Sequence, residues 1–475
     1  DVNTGAVLAM ASLPTYDLNS PGTVYNDFLT SGMTEEQVLE NMRDLLNKQW
    51  RSKAINDTYE PGSTFKTLTL AMALEENVVD LNTGFYCSGS VKIEGETINC
   101  SKRAPGHGQQ NLTQAFANSC NPAFINIGLR IGNDKFYQYM LDFGLTEKTG
   151  VDTTGEASGF VNSEIKYSTL ALACYAFGQN FNVTPIALLA AQCACVNGGY
   201  LYTPYLVEEI TDQDGNVVSK HDSTPIRQVV SGETSALVRD IMEYEVTTGT
   251  GKNGQVAGYR IGGKTGTADK GQTGDVVVSF LCFAPADDPQ VIMLITMDTP
   301  SRATGTYVSG GNMVAPTAST VMAEILPYLG VEPSYSAEEL LGMDTTVPNV
   351  IGMSVEEAKA KLKDRALSYK IVGDGETITD QTPAGGAIIP GKSSVILYVG
   401  EEKSMDKCVV PHLIGKTPSE ANTTATAAGL LIRFSGTTGS ESSSVRVLSQ
   451  SIDEGTEVEA GTVITVQLGD TSVTD

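Results

Sequence analysis

Histidine is nearly missing, with three in 475 residues, so imidazoles gathered with acids or thiols at ligand spacing are not expected, and neither a metal centre nor a cofactor is predicted. Basic residues are outnumbered as well. Lys plus Arg total 31 against 56 for Asp plus Glu, a formal charge of −25; such a chain repels nucleic acid and anionic membrane surfaces, and no nucleic-acid role is predicted. No uninterrupted apolar run approaches the ~18 residues that a membrane-spanning helix needs, and the N-terminus lacks a basic segment followed by an apolar one. What is present is globular. The apolar fraction is 41%, and the length exceeds what one ordinary core holds, so two or more domains are predicted.

Among eight cysteines, only Cys87 and Cys100 lie in a loop-like segment that can close on itself as a disulfide. Cys174, Cys193, Cys195 and Cys282 stand in apolar runs and read as buried thiols. Cys193 and Cys195, one residue apart, lack the spacing of a zinc or redox pair. Cys120, between Ser119 and Asn121, reads as an inert filler.

The chemistry is concentrated first in Tyr-Glu-Pro-Gly-Ser-Thr-Phe-Lys, residues 59–66. Pro61 and Gly62 interrupt regular structure, and Phe65, Leu68, Leu70, Met72 and Leu74 then place apolar groups on nearly every face of a helix, which predicts burial. Ser63 and Lys66, at i and i+3, share one face of it. A desolvated lysine loses its proton easily and can take that of an adjacent hydroxyl. A helix cap with a snorkelling lysine has the same spacing, so the pair needs partners. Two triplets supply them: Ser119-Cys120-Asn121 after an amphipathic stretch, and Lys264-Thr265-Gly266 with Thr267 in a strand-like segment.

In the order S-x-x-K, S-x-N, K-T-G, these motifs resemble the set shared by penicillin-binding proteins and class A β-lactamases. Asp1 to Ser12, Gly178 to Pro185, Gly249-Thr250-Gly251 and Gly263 to Ala268 are similar to class B penicillin-binding proteins, the monofunctional transpeptidases of the bacterial cell wall. The resemblance covers residues 1 to about 330. It implies an α/β (α+β) penicillin-binding/β-lactamase-like transpeptidase fold, an antiparallel sheet flanked by helices. Periodicity agrees: Val276 to Pro285 and Val291 to Asp298 are apolar, β-branched runs around a turn, a hairpin beside the Lys264 strand. Ala6 to Leu13 is expected as a further strand, residues 34–46 and 109–143 as helices with a break near Gly132, and Met313 to Leu329 as a closing helix.

The resemblance implies Ser63 as nucleophile and Lys66 as its base, made neutral by burial near Lys264, Ser119 and Asn121. Ser119 would relay a proton to the departing D-alanine, and Asn121 would hold the substrate's peptide group. Lys264 would supply a positive field for the terminal carboxylate and Thr265 a hydrogen bond to it, with the substrate laid along residues 264–267. Gly266 and Thr267 thereby belong to the substrate-binding set, and the N–H groups of Ser63 and Thr267 would form the oxyanion hole. His107, in a His-Gly pair that the family shares, is expected to be structural. Class A β-lactamases add a glutamate in an E-x-x-L-N setting that activates a deacylating water; none stands between the S-x-N and K-T-G motifs, so an acyl-enzyme at Ser63 should persist. The implied activity is D-Ala-D-Ala transpeptidation of peptidoglycan stem peptides, inhibited by β-lactams. A D,D-carboxypeptidase and a non-catalytic β-lactam-sensing or wall-binding protein are the alternatives.

After Gly330 the composition shifts, and a repeat begins. Val347-Pro348-Asn349-Val350-Ile351-Gly352 returns as Val410-Pro411-His412-Leu413-Ile414-Gly415, and the second copy is longer, most simply within Ser435 to Ser444. The pair resembles two PASTA domains, small β-α-β-β-β modules of cell-wall enzymes and kinases. The predicted division is a transpeptidase domain at 1–332, a linker at 333–345 with a short helical turn at Ala337 to Leu341, a PASTA domain at 346–400, a linker at 401–407 and a second PASTA domain at 408–470. Class B members carry a membrane anchor and a pedestal before the point where this sequence starts. The resemblance therefore implies a piece of a longer protein on the extracytoplasmic face of the membrane, partnered by a glycosyltransferase of the division or sporulation machinery.

Overall fold

The computed structural model describes residues 1–25, 27–271, 274–303, 305–335, 344–391, 393–400, 407–437 and 444–473. The predicted turn at Ala337 to Leu341, the linker at 401–406 and most of the proposed insertion in the second repeat lie outside the described residues. The chain forms two compact units, one built from residues 1–245 and 262–301, the other from 246–261 and 302–474.

The first unit is organised around the helix Lys66–Glu75, whose residues are buried as far as Leu74. A helix apolar on all sides must be enclosed on all sides. It packs between the helices Asn121–Ile131 and Pro185–Val196, the latter begun by Thr184, whose hydroxyl accepts from the Ala187 N–H, with Pro185 in its first turn. Phe65, Phe116, Phe124, Phe136 and Phe181 belong to the same buried core. The predicted hairpin is present as the antiparallel strands Val276–Ala284 and Val291–Asp298, and the strand Gly262–Asp269 pairs with the first of them, Lys264 opposite Leu281 and Gly266 opposite Ser279. Gly262–Asp269 is thus an outer strand of the three. The segment Ala6 to Leu13 does not join this sheet. Ala6 makes one isolated bridge to Tyr205, and Leu8 and Leu13 project into solvent; Val7 and Met10 pack instead on a small separate cluster of Ile55, Val151 and Ile186, and pairing follows burial more than β propensity.

The second unit contains the helix Ala315–Tyr328 and both repeats. In each repeat a capping box starts the helix, Ser354 with Glu357 and Thr417 with Glu420. Each helix covers a three-stranded sheet whose central strand, Ser394–Val399 or Val463–Asp470, has one parallel and one antiparallel neighbour. Two separate cores result, around Val395 and Leu397 and around Ile464 and Val466.

The second repeat is also tied to sequence that precedes the predicted linker. Lys252 Nζ lies 2.5 Å from an Asp470 carboxylate oxygen, and Asn253, 1% exposed, donates to the Asp470 carbonyl and accepts from its N–H. Asn312 donates to the Val473 carbonyl, and Gln467 to Pro316 and Thr320 on the helix. Burial alone would raise the Asp470 carboxyl; the Lys252 and Ser472 contacts outweigh it and bring the pKa down to about 2. A chain shortened to end near residue 341 is expected to melt several degrees lower, because Asn253 and Lys252 lose their buried partners. Its acylation rate at Ser63 should stay within about tenfold of the full chain, since the repeats carry none of the three motifs. A larger fall in rate with the fold intact by circular dichroism would overturn this independence.

Candidate active site

Ser63 occupies a short 3-10 turn, Gly62–Phe65, that runs directly into the Lys66 helix. The turn is pressed against the Lys264 strand, and two glycines allow the approach. Gly62 has φ +57°, and a Cβ there would stand 3.1 Å from the Thr267 carbonyl oxygen; a Cβ on Gly266 would stand 2.4 Å from Ser279 Oγ and 2.9 Å from the Thr64 methyl. Gly266 is therefore needed for packing of the nucleophile's turn, whatever it does for a substrate. From the other side, the Gln192 amide donates to the Thr64 carbonyl at 2.8 Å and the Gly62 N–H to the Gly178 carbonyl.

Lys66, 0% exposed, is where two motifs meet. Its Nζ lies 3.0 Å from Ser63 Oγ, 2.7 Å from the Ser119 carbonyl oxygen, 3.1 Å from Ser119 Oγ and 2.7 Å from Asn121 Oδ1. Ser119 reaches this geometry by adopting φ +51°, a left-handed conformation that costs a non-glycine residue on the order of 1 kcal/mol or more and marks sites where function over-determines the backbone. The twist turns both its carbonyl and its hydroxyl toward the amine. Asn121 starts the following helix and is held by its Nδ2, which donates to the Asn99 carbonyl at 3.1 Å. The carbonyl of Ser119 and Oδ1 of Asn121 can only accept. A neutral amine would have two N–H groups for those two oxygens and one lone pair, which can accept from one hydroxyl at a time, that of Ser63 or that of Ser119. The cluster can thus take a proton from Ser63.

Lys264, expected to supply a positive field for a terminal carboxylate, lies in the interior beside an acid. It is 0% exposed, its Nζ 3.5 Å from Glu245 Oε1 and within 3.3 Å of the Thr265 carbonyl and hydroxyl, with the Phe116 ring 5.6 Å away. Glu245 also accepts from Thr265, through N–H and hydroxyl, at 3.4 and 3.5 Å. Thr265 is fully buried, whereas Thr267, two positions along on the same face, is partly exposed. Glu245 belongs to no motif. Its signal in the sequence is an acid on the apolar face set by Val238, Ile241 and Met242 in the helix Gly232–Thr248; a buried acid at such a position needs a cationic partner.

Beside Ser119 and Asn121, Cys120 is buried against Cys100, Cys87 and His107, and all eight cysteines are free thiols. The Cys120 thiol donates toward Cys100, which with His107 alongside pulls the Cys100 pKa far down, while the same contact pushes the Cys120 thiol far up.

Residues 1–323 match the model of the penicillin binding protein transpeptidase domain, and residues 345–401 and 409–470 match the PASTA domain. The chain belongs to the penicillin-binding protein transpeptidase family. It is 42% identical over 364 residues to stage V sporulation protein D of Bacillus subtilis, an alignment covering 74% of this chain and 55% of that protein. The chain thus spans about half the length of the curated relatives it matches. Among solved structures, the D,D-transpeptidase domain of a peptidoglycan glycosyltransferase from Eggerthella lenta aligns with a TM-score of 0.58 and 29% identity, over 70% of this chain and 77% of that one. Penicillin binding protein 3 of Mycobacterium tuberculosis, complexed with ampicillin, aligns with a TM-score of 0.56 and 25% identity, over 62% and 68%. Among the described residues, no helix is long and apolar enough to cross a membrane.

Proposed function

We propose that this chain is the catalytic part of a serine D-Ala-D-Ala transpeptidase that cross-links peptidoglycan stem peptides. The observation that supports it most is the convergence of Ser63, Ser119 and Asn121 on the single amine of Lys66. Ser63 Oγ attacks the carbonyl of the penultimate D-alanine as its proton passes to Lys66. The N–H groups of Ser63 and Thr267 stabilise the oxyanion, each such donor contributing ~3–4 kcal/mol in acyl-transfer sites. As the peptide bond breaks, Ser119 relays the proton to the amine of the leaving D-alanine. An amine from a neighbouring stem peptide then attacks the acyl-enzyme ester, and Ser63 regains its proton. A β-lactam follows the first half and stops there, because the sequence between the S-x-N and K-T-G motifs holds no E-x-x-L-N glutamate to activate water.

The substrate lies as an added strand along the outer edge of Gly262–Asp269, with Asn121 on its peptide group, and Lys264 and Thr265 act on its terminal carboxylate. Because Glu245 offsets the Lys264 charge, carboxylate binding would be accompanied by a redistribution of the Lys264 contacts. The enzyme acts on the extracytoplasmic face, held by an anchor elsewhere in a longer protein and working beside a glycosyltransferase. The similarity to a sporulation protein favours a division- or sporulation-type role.

Labelling with a fluorescent penicillin, followed by mapping of the labelled peptide, tests this reading. A label on Ser63 that persists for hours supports a transpeptidase, release within minutes indicates a lactamase, and no label overturns the assignment. Lys264→Ala is expected to slow acylation at least about tenfold, the scale of one lost charge-assisted hydrogen bond. Making the change together with Glu245→Gln removes the buried carboxylate's charge along with the lysine's; unchanged acylation in that double variant would place carboxylate recognition elsewhere.

A further inference from the structure

Four side chains with metal-ligating atoms come together directly behind the S-x-N motif: Cys87, Cys100, His107 and Cys120, their ligand atoms all within 4.8 Å of one another. They arrive from separate local structures. Cys87 ends the strand Phe85–Cys87, Cys100 follows the hairpin of Ser90–Ile93 with Glu96–Asn99, His107 precedes the strand Gly108–Gln110, and Cys120 caps the helix Asn121–Ile131. The three cysteines are buried and the histidine half-buried, with Cys100 Sγ 3.5 Å from His107 Nδ1.

We propose that these residues form a tetrahedral zinc site that clamps the S-x-N motif. A zinc ion with Zn–S near 2.3 Å and Zn–N near 2.1 Å places its ligand atoms roughly 3.6–3.8 Å apart. The observed cluster therefore needs only a small inward adjustment. A disulfide would use two of the thiols and leave a third cysteine and the imidazole without a purpose, whereas a Cys3His set accounts for all four groups. The surroundings suit bound thiolates. The main-chain N–H of Asn121 points at the Cys100 sulfur and that of Ala123 at the Cys120 sulfur, both from the first turn of one helix. The Gln110 side chain, 3% exposed and oriented by Asn118, turns an amide N–H that lacks any oxygen or nitrogen acceptor among the described residues toward Cys120. Such outer donors to ligating sulfur are a regular part of thiolate sites. Binding of Zn²⁺ displaces the protons of three thiols and leaves the imidazole neutral, so the site carries a net charge of about −1.

The zinc would act on catalysis through position. Cys120 is bonded in sequence to Ser119 and Asn121, both of which hold the Lys66 amine, and Asn99, whose carbonyl accepts from Asn121, adjoins Cys100. The ligands would thus be positioning residues that keep the left-handed Ser119 and the start of the Asn121 helix in place. Composition argues against a metal only because it counts histidines, and three of the four ligands here are thiolates.

The test is elemental analysis of the protein purified under reducing conditions, with no zinc added. About one zinc per chain is expected, and replacement by Co²⁺ should produce the intense visible absorption and thiolate charge-transfer bands of a tetrahedral sulfur-rich site. Cys87→Ala and His107→Ala, neither in the three catalytic motifs, should each bring the zinc below about a tenth of that content. Folded protein with reduced thiols and no zinc would overturn the proposal, as would a native Cys100–Cys120 disulfide found by mass spectrometry or full zinc content in Cys87→Ala. The cobalt spectrum of the unsubstituted chain decides the matter should both variants fail to fold. Since metal content and spectrum are read without substrate, failure here leaves the acyl-transfer reading intact.

Discussion

Ser63→Ala is expected to take up no fluorescent penicillin at all, at any concentration or time that labels the unsubstituted chain completely. In the proposed mechanism the Ser63 hydroxyl is the atom that becomes the ester, and the Ser119 carbonyl and Asn121 Oδ1 on the same amine are acceptors without nucleophilic protons. Ser119 Oγ, at 3.1 Å from the amine, is another hydroxyl in reach. Peptide mapping of any residual label distinguishes a displaced reaction at Ser119 from contamination. The thermal midpoint should move by no more than a few degrees, because Ser63 is only half-buried and its removal opens little space. Acylation of the alanine variant at the unsubstituted rate would remove Ser63 from the mechanism.

The second large effect belongs to Lys66. Lys66→Ala should slow acylation by roughly 10²–10⁴, the range in which a positioned general base contributes. Because it also leaves the Ser119 carbonyl and Asn121 Oδ1 without their donor, at a cost of about 1–3 kcal/mol per buried group, melting must be measured beside the rate. Lys66→Arg separates charge from proton transfer. A guanidinium keeps the cation but does not deprotonate at any working pH. If Lys66 takes the proton of Ser63, arginine is as slow as alanine; if arginine restores acylation, the lysine acts through its field alone and the base lies elsewhere.

Much of this chain is legible from local pattern, and the reasons are physical. The apolar residues around Phe65 to Leu74 demand burial on every side, and burial makes the lysine at their start chemically unusual before any partner is known. The β-branched runs at Val276 to Pro285 and Val291 to Asp298 state a hairpin through period and turn, and the capping residues Ser354 and Thr417 mark the start of each repeat helix through a side chain three residues from its partner. Each of these signals is short in range, so it survives in a one-dimensional reading. Ala6 to Leu13 shows the limit. Its composition suits a strand, but whether a strand forms depends on a neighbour that the segment cannot supply.

What tertiary structure alone decided are the pairings between distant positions. Glu245 meets Lys264 across 19 residues and Asn253 meets Asp470 across 217, and neither partner carries a local mark strong enough to name the other. The left-handed Ser119 is invisible in sequence because serine has no preference for that conformation; it is held by the amine on one side and the Asn121 helix on the other. The cysteines are the clearest instance. Their separations match no compact metal motif, so by sequence they are fillers and a possible crosslink, and only folding brings three thiols and an imidazole together beside Ser119 and Asn121. Residue types and short spacings determine what chemistry a chain can perform and where its elements start. Which groups face one another is settled by the packing of whole elements, whose energy is spread over many weak contacts that no single stretch of sequence contains.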